Sequence, residues 1–190
     1  MSTTTRYTSP IPDHYYAIFA FYEPFLCTVG FLGAWADPKT THDSQAPWPA
    51  DSPPPVSIDI LPRASLVTVL QLAHVCFLVG VINFFILSAT RRHLHAHPAL
   101  QEKIVSSLLV PLLIGDVLHL YVTIWALGDE KWNFATWSPM LWTTVGLGLT
   151  LLIPRVLWHL GVARYVDSRD AIRPKRTPSE KPTSQSPAIR

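Results

Sequence analysis

The sequence predicts an all-α polytopic membrane protein, a four-transmembrane-helix bundle with both termini cytoplasmic. Three observations carry this expectation. Hydrophobic residues make up 48% of the chain, while Asp, Glu, Lys and Arg make up only 15%, against roughly 25% in an ordinary soluble domain. Four apolar stretches reach about the 20 residues that a helix needs to cross a bilayer. Lys and Arg are unevenly shared among the segments that join those stretches. Together these features exclude a disordered chain, which needs low hydrophobicity and high charge, and they argue against a water-soluble enzyme. The net charge of +2 is small, and no basic stripe suggests a nucleic acid partner.

At 190 residues the chain is long enough for one domain. The spans are expected at about residues 15–35, 64–90, 104–127 and 140–162. They lie within a membrane domain over 14–165, preceded by a short tail over 1–13 and followed by a disordered cytoplasmic tail over 166–190. Each stretch is too long for a core strand, and none has the sustained polar face of a surface helix. Ala34-Trp35-Ala36 resembles a signal-peptide cleavage site. The first stretch, however, is longer than a signal h-region of about 7–15 residues, carries Glu23-Pro24 inside it and has only Arg6 as a basic residue ahead of it. It reads as an uncleaved helix.

Orientation follows from the loops. The segment after span two carries Arg91, Arg92 and Lys103 together with His93, His95 and His97, and the tail carries Arg164, Arg169, Arg173, Lys175, Arg176, Lys181 and Arg190. The first loop has only Lys39 and Arg63 against Asp37, Asp43, Asp51 and Asp59, and the third has Lys131 against Asp129 and Glu130. Positive segments stay inside, so the first and third loops face the lumen or exterior. Trp35, Trp125, Trp132, Trp137 and Trp142 fall near that outer interface, where an indole is well placed. The first loop, 37–63, is Pro-rich and reads as a stiff extended connector. Cys27 and Cys76 lie in apolar stretches and behave as small hydrophobes.

Polar residues inside the spans are expensive there and mark functional sites. Span one holds Glu23, span two Gln71, His74 and Asn83, span three Asp116 and His119, and span four Arg155 and His159. Asp116 and His119 are i,i+3 and share a helix face, as do Arg155 and His159 at i,i+4. Asn83 lies on the face opposite His74, and it and Gln71 read as packing glue. Their depths allow Glu23 to meet Arg155 and Asp116 to meet His74; an Arg paired with a carboxylate is the cheapest way to keep both charges in a bundle. Arg155 and His159 admit a second reading, a reach to the headgroups, and His74 a second one as a neutral interhelical hydrogen-bonding group. Pro24, Pro111 and Pro154 accompany the charges; each frees a carbonyl and kinks its helix, which suits a pocket in the bundle.

The segments Phe21-Tyr22-Glu23-Pro24, Gln71-Leu72-Ala73-His74, Gly115-Asp116-Val117-Leu118-His119-Leu120-Tyr121 and the Trp-rich start of span four followed by Arg155 resemble an uncharacterised family of small four-span fungal integral membrane proteins. The resemblance covers about residues 12–165, and Asp-x-x-His-Leu-Tyr is its most specific element. The chain departs from the pattern at His74, where Asn is expected, and in its longer Pro-rich first loop. More remotely, the four-span plan is similar in architecture to the emopamil-binding and sigma-2 receptor superfamily, without a residue-by-residue match to its catalytic His and Glu positions. That likeness implies a four-helix bundle with a buried acidic pocket, in the endoplasmic reticulum; it is an analogy of fold, and fold does not give function.

Three functions remain. The first is a cofactor-independent isomerase or cyclase that moves a proton on a lipophilic metabolite such as an isoprenoid, sterol or polyketide; the family resemblance implies fungal secondary metabolism. A carboxyl group in a dry pocket can serve as an acid. Asp116 is cast as acid or base, His119 as its proton partner and Glu23 as the opposing carboxylate held by Arg155. His74, Tyr121 and Trp142 are cast as ligand-binding, the aromatic rings stabilising positive charge. No redox, nucleotide or metal-binding spacing occurs in the sequence, so no cofactor is expected. The second is a non-enzymatic lipid-binding or scaffold protein, and the third a proton-coupled carrier. Expected partners are a lipophilic small molecule and membrane lipids, with a homodimer or partner biosynthetic enzymes beside them.

Overall fold

The computed structural model describes residues 8–48 and 60–171. Four helices among them are long and apolar enough to span a membrane: α1 (Asp13–Ala36), α3 (Arg63–His93), α4 (Pro98–Ala126) and α5 (Pro139–His159). Two short helices, α2 (Pro38–Asp43) and α6 (Asp167–Asp170), follow the first and last spans. No strand occurs among the described residues. The protein is all-α, as expected, and the four spans lie where hydropathy put them, α4 beginning six residues before the expected 104.

α1 is interrupted by a π-helical turn over Ile18–Tyr22. Its cause lies next to it. Pro24 has no N–H to give to the carbonyl of Ala20, and its ring crowds that carbonyl; a wider turn relieves the clash. The π turn also advances the phase of the helix, a feature common at functional sites. The face buried is Tyr15, Phe19, Ala20 and Glu23, whereas Tyr16 is turned toward α3, its hydroxyl 2.9 Å from that of Ser88.

α1 lies along α3, and α4 pairs with α5. The closest approach of the first pair is at Gly80, where an added Cβ would stand 2.9 Å from Cys27 Cβ and 3.0 Å from Pro24 Cα. Only a glycine lets these two backbones meet so closely. The two pairs join around one buried apolar cluster, Ile11, Tyr15, Phe19, Ala20, Leu87, Val105, Leu109 and Trp158. A smaller cluster of Leu127, Trp137 and Leu141 closes the other end of the α4–α5 pair.

Both described chain ends meet at the end of the bundle that holds the larger cluster. Trp158 Nε1 donates to the Pro10 carbonyl at 2.8 Å, Tyr15 Oη to the Val162 carbonyl at 2.9 Å, and the Tyr165 amide to the Ser9 carbonyl at 3.0 Å. α5 ends in a Schellman motif: the Gly161 amide donates to the Trp158 carbonyl and the Val162 amide to the Leu157 carbonyl, with Gly161 at φ +73°. Arg164 then folds back over Trp158, its guanidinium 4.0 Å from the ring centroid, and binds the Trp158 carbonyl and Glu102 at 2.6 Å each.

Two expectations are corrected. The segment expected as tail from 166 onward begins with α6, docked by Glu102, which accepts from the Asp167 amide at 2.8 Å. Burial and the adjacent Asp167 carboxylate push the Tyr165 phenol up to about 12, so it stays a donor to that carboxylate. Residues 172–190 lie outside the described residues. The first loop likewise does not start as an extended connector. Asp37 accepts from the Thr40 amide at 2.9 Å and caps α2, which holds its carboxyl below the usual aspartate value. Residues 49–59 of that loop lie outside the described residues.

Candidate functional site

Arg155 reaches across the bundle from α5, next to Pro154, and its side chain is fully buried. One guanidinium nitrogen, Nη2, donates to Glu23 Oε2 of α1 at 2.6 Å, and the other, Nη1, donates to Asp116 Oδ2 of α4. Its charge also lies 5.5 Å from the Phe19 ring centroid. One cation thus ties three helices together in a fork geometry that lysine cannot supply. Two carboxylates on one guanidinium give the cluster a formal charge of −1. Asn83 of α3, fully buried, adjoins Glu23, so all four spans contribute.

The cluster is not saturated. Arg155 Nε is buried without a hydrogen-bond partner among the described residues. Buried polar atoms left so are costly. One turn further along α5, His159 Nε2 is also buried and unpartnered.

Beside the cluster, along α4, runs a groove of about 470 Å³. Gly115, Leu118, His119, Val122 and Thr123 form its wall, and Gln45 and Ala46 of the first connector form its rim. The Ser44 carbonyl accepts from Ser138 Oγ at 2.5 Å, which ties this connector to the start of α5. Gly115 leaves open space where a side chain would project. The volume lies within the usual range of small-molecule sites, about 300–1,000 Å³, and the lining is mostly apolar. His119 is the ionisable side chain of the groove, and it is close enough to Asp116 to interact with it electrostatically.

The sequence-derived candidates therefore divide. Glu23, Asp116 and Arg155 converge; His119, one turn after Asp116, is exposed in the groove and makes no side-chain hydrogen bond to them among the described residues. The pairing of Asp116 with His74 does not form: Asp116 goes to Arg155, and His74 is exposed on α3. Asn83, nine residues on and so half a revolution away, takes the inward face. Tyr121 is exposed. Trp142 packs with Phe134 and Trp137, ring centroids 6.0 and 4.8 Å away, in an aromatic knot at the far end of the α4–α5 pair. Arg155 does not reach for headgroups. Sequence reasoning missed the Glu102–Arg164 pair, since Arg164 reads as one more tail charge; the signal was its place three residues after the helix-ending Gly161.

Four apolar helices around a buried ionic cluster define a multi-pass integral membrane protein. The chain belongs to the family described as "Domain of unknown function (DUF7704)", which matches residues 8–165. No curated protein and no solved structure matches the chain.

Proposed function

We propose that this protein is an intramembrane isomerase or cyclase that moves a proton on a lipophilic metabolite. The observation that carries this reading is the groove wall at His119, set beside a carboxylate that Arg155 fixes in place. His119 is the group offered to the substrate. A neutral imidazole takes a proton from an activated carbon; the C–H electrons form the new double bond as the old one shifts. The imidazolium returns the proton to the carbon two bonds away. Asp116, one turn before His119 on the same helix, is held by Arg155. Glu23 holds Arg155 from the other side rather than opposing Asp116 across the substrate. The setting proposed is the endoplasmic reticulum membrane with the two chain ends cytoplasmic, beside enzymes of secondary metabolism.

One observation favours a second reading, a lipid-binding protein without turnover: both carboxylates are already engaged by Arg155. The two separate by experiment. Lipophilic extracts are compared by mass spectrometry from cells carrying wild type, a deletion, His119→Gln and Asp116→Asn at matched expression. The enzyme reading expects one metabolite to be replaced by an isomer of equal mass in the deletion and in His119→Gln, with turnover down by about 10²–10⁴-fold. Asp116→Asn is expected to lower turnover. An extract changed by the deletion alone sinks the catalytic reading and leaves the binding one.

A further inference from the structure

A second concavity, of about 610 Å³, lies between α1 and α3 at the end of the bundle where both described chain ends meet. Its lining is graded. Arg91 and Arg92 stand at the rim, Tyr16 and Ser88 follow, and Phe21 and Phe84 form the far side. Arg91 stacks over the Tyr16 ring, 4.3 Å from its centroid; Tyr16 meets Phe21 edge-on at 5.3 Å, and Phe21 meets Phe84 at 5.8 Å. From Arg91 to Phe84 the helix descends about 10 Å. The surface thus passes from cationic to hydroxylic to aromatic along the direction of the membrane normal.

The charges are only partly used. Arg91 pairs with Asp13, which stands out in solvent with its side chain 91% exposed. The Arg92 guanidinium is exposed and, among the described residues, has no ion pair or hydrogen bond. Two arginines against one carboxylate leave the rim at +1. Phe21, 52% exposed, presents its ring where acyl chains lie.

We infer that this pocket binds an anionic phospholipid, its phosphate at Arg91 and Arg92 and an acyl chain along Phe21 and Phe84. In the orientation proposed above, this basic pocket between spans lies on the leaflet that carries anionic lipid and suits such a headgroup, and the aromatic strip explains why the ligand is a lipid rather than a free anion. The site is separate from the His119 groove and does not depend on the function proposed for it.

The test is thermal unfolding of the whole protein in a non-ionic detergent, titrated with dioctanoyl phosphatidylserine, dioctanoyl phosphatidylcholine or inorganic phosphate. Phosphatidylserine is expected to raise the Tm saturably, and the other two to leave it within error. Arg92→Gln, which breaks no bond within the protein, is expected to weaken the apparent affinity about fivefold, while Arg92→Lys retains most of it. Arg63→Gln, at the opposite end of α3, retains all of it. An equal rise with phosphatidylcholine would reduce the site to an acyl groove, and an equal rise with phosphate would make it an anion site; either overturns the inference. An undiminished response in Arg92→Gln, or an equal loss in Arg63→Gln, overturns it as well.

Discussion

Arg155 is the side chain on which most of the interior depends. It compensates Glu23 and Asp116 at once, and neither carboxylate has another cation in contact. Removing one partner of a buried ion pair costs about 3–5 kcal/mol, because the charge left behind has no solvent. Arg155→Leu is therefore expected to lower the detergent unfolding temperature sharply. Arg155→Leu combined with Glu23→Gln and Asp116→Asn is expected to recover most of that loss, since it removes the charges together. If the triple variant is as unstable as the single one, shape rather than charge holds the cluster. Much of this was legible in the sequence, because the depths of Glu23 and Arg155 matched. Asp116 was assigned to the wrong partner. Spacing along one helix says which residues share a face, but not which neighbouring helix that face meets.

The α1–α3 contact rests on the absence of one methyl group. A Cβ at position 80 would meet Pro24 backbone as well as the Cys27 side chain, and backbone cannot turn aside. Gly80→Ala is expected to destabilise the protein by about 1–3 kcal/mol, as overpacking does. Gly30→Ala and Gly33→Ala, which face open space, are expected to be neutral or mildly stabilising. Equal effects of the three on thermal unfolding would count against the close crossing. The same crossing lies one turn from Asn83 and adjoins Pro24, so Gly80→Ala is also expected to disturb the Glu23–Arg155 bond. The π turn at Ile18–Tyr22 changes which face of α1 is buried. A periodicity of 3.6 puts Tyr16, Glu23 and Cys27 on one side, whereas the widened turn brings Tyr15 and Phe19 into register with Glu23.

Across the molecule, an even number of spans puts the two described ends together, and Trp158, Tyr15 and Tyr165 lock them. With Cys27 and Cys76 replaced by Ala, single cysteines at Ser168 and His95 are expected to react with a membrane-impermeant thiol reagent from the same side, and one at Ser44 from the other. In intact microsomes Ser44 is expected to be protected and the first two labelled. Labelling of Ser168 and Ser44 from one side would overturn the four-span arrangement. Protection of all but Ser44 would keep it and invert the orientation.

Span number, span length and the presence of ionisable groups in the membrane came from local properties, hydropathy and residue type, which a helix of 20 residues carries wherever it packs. The uneven placement of Lys and Arg likewise gives an expected orientation without any packing. Partner choice is different in kind. Arg155 selects both Glu23 and Asp116, Asn83 rather than His74 turns inward, and Arg164 leaves the tail to seal the end of α5. Each of these depends on the order of helices around the bundle and on their rotation. Those are set by close contacts such as Gly80 against Pro24 and by the phase added at the π turn; Pro24 marks in the sequence that α1 is disturbed, but not which helix the rotated face then meets.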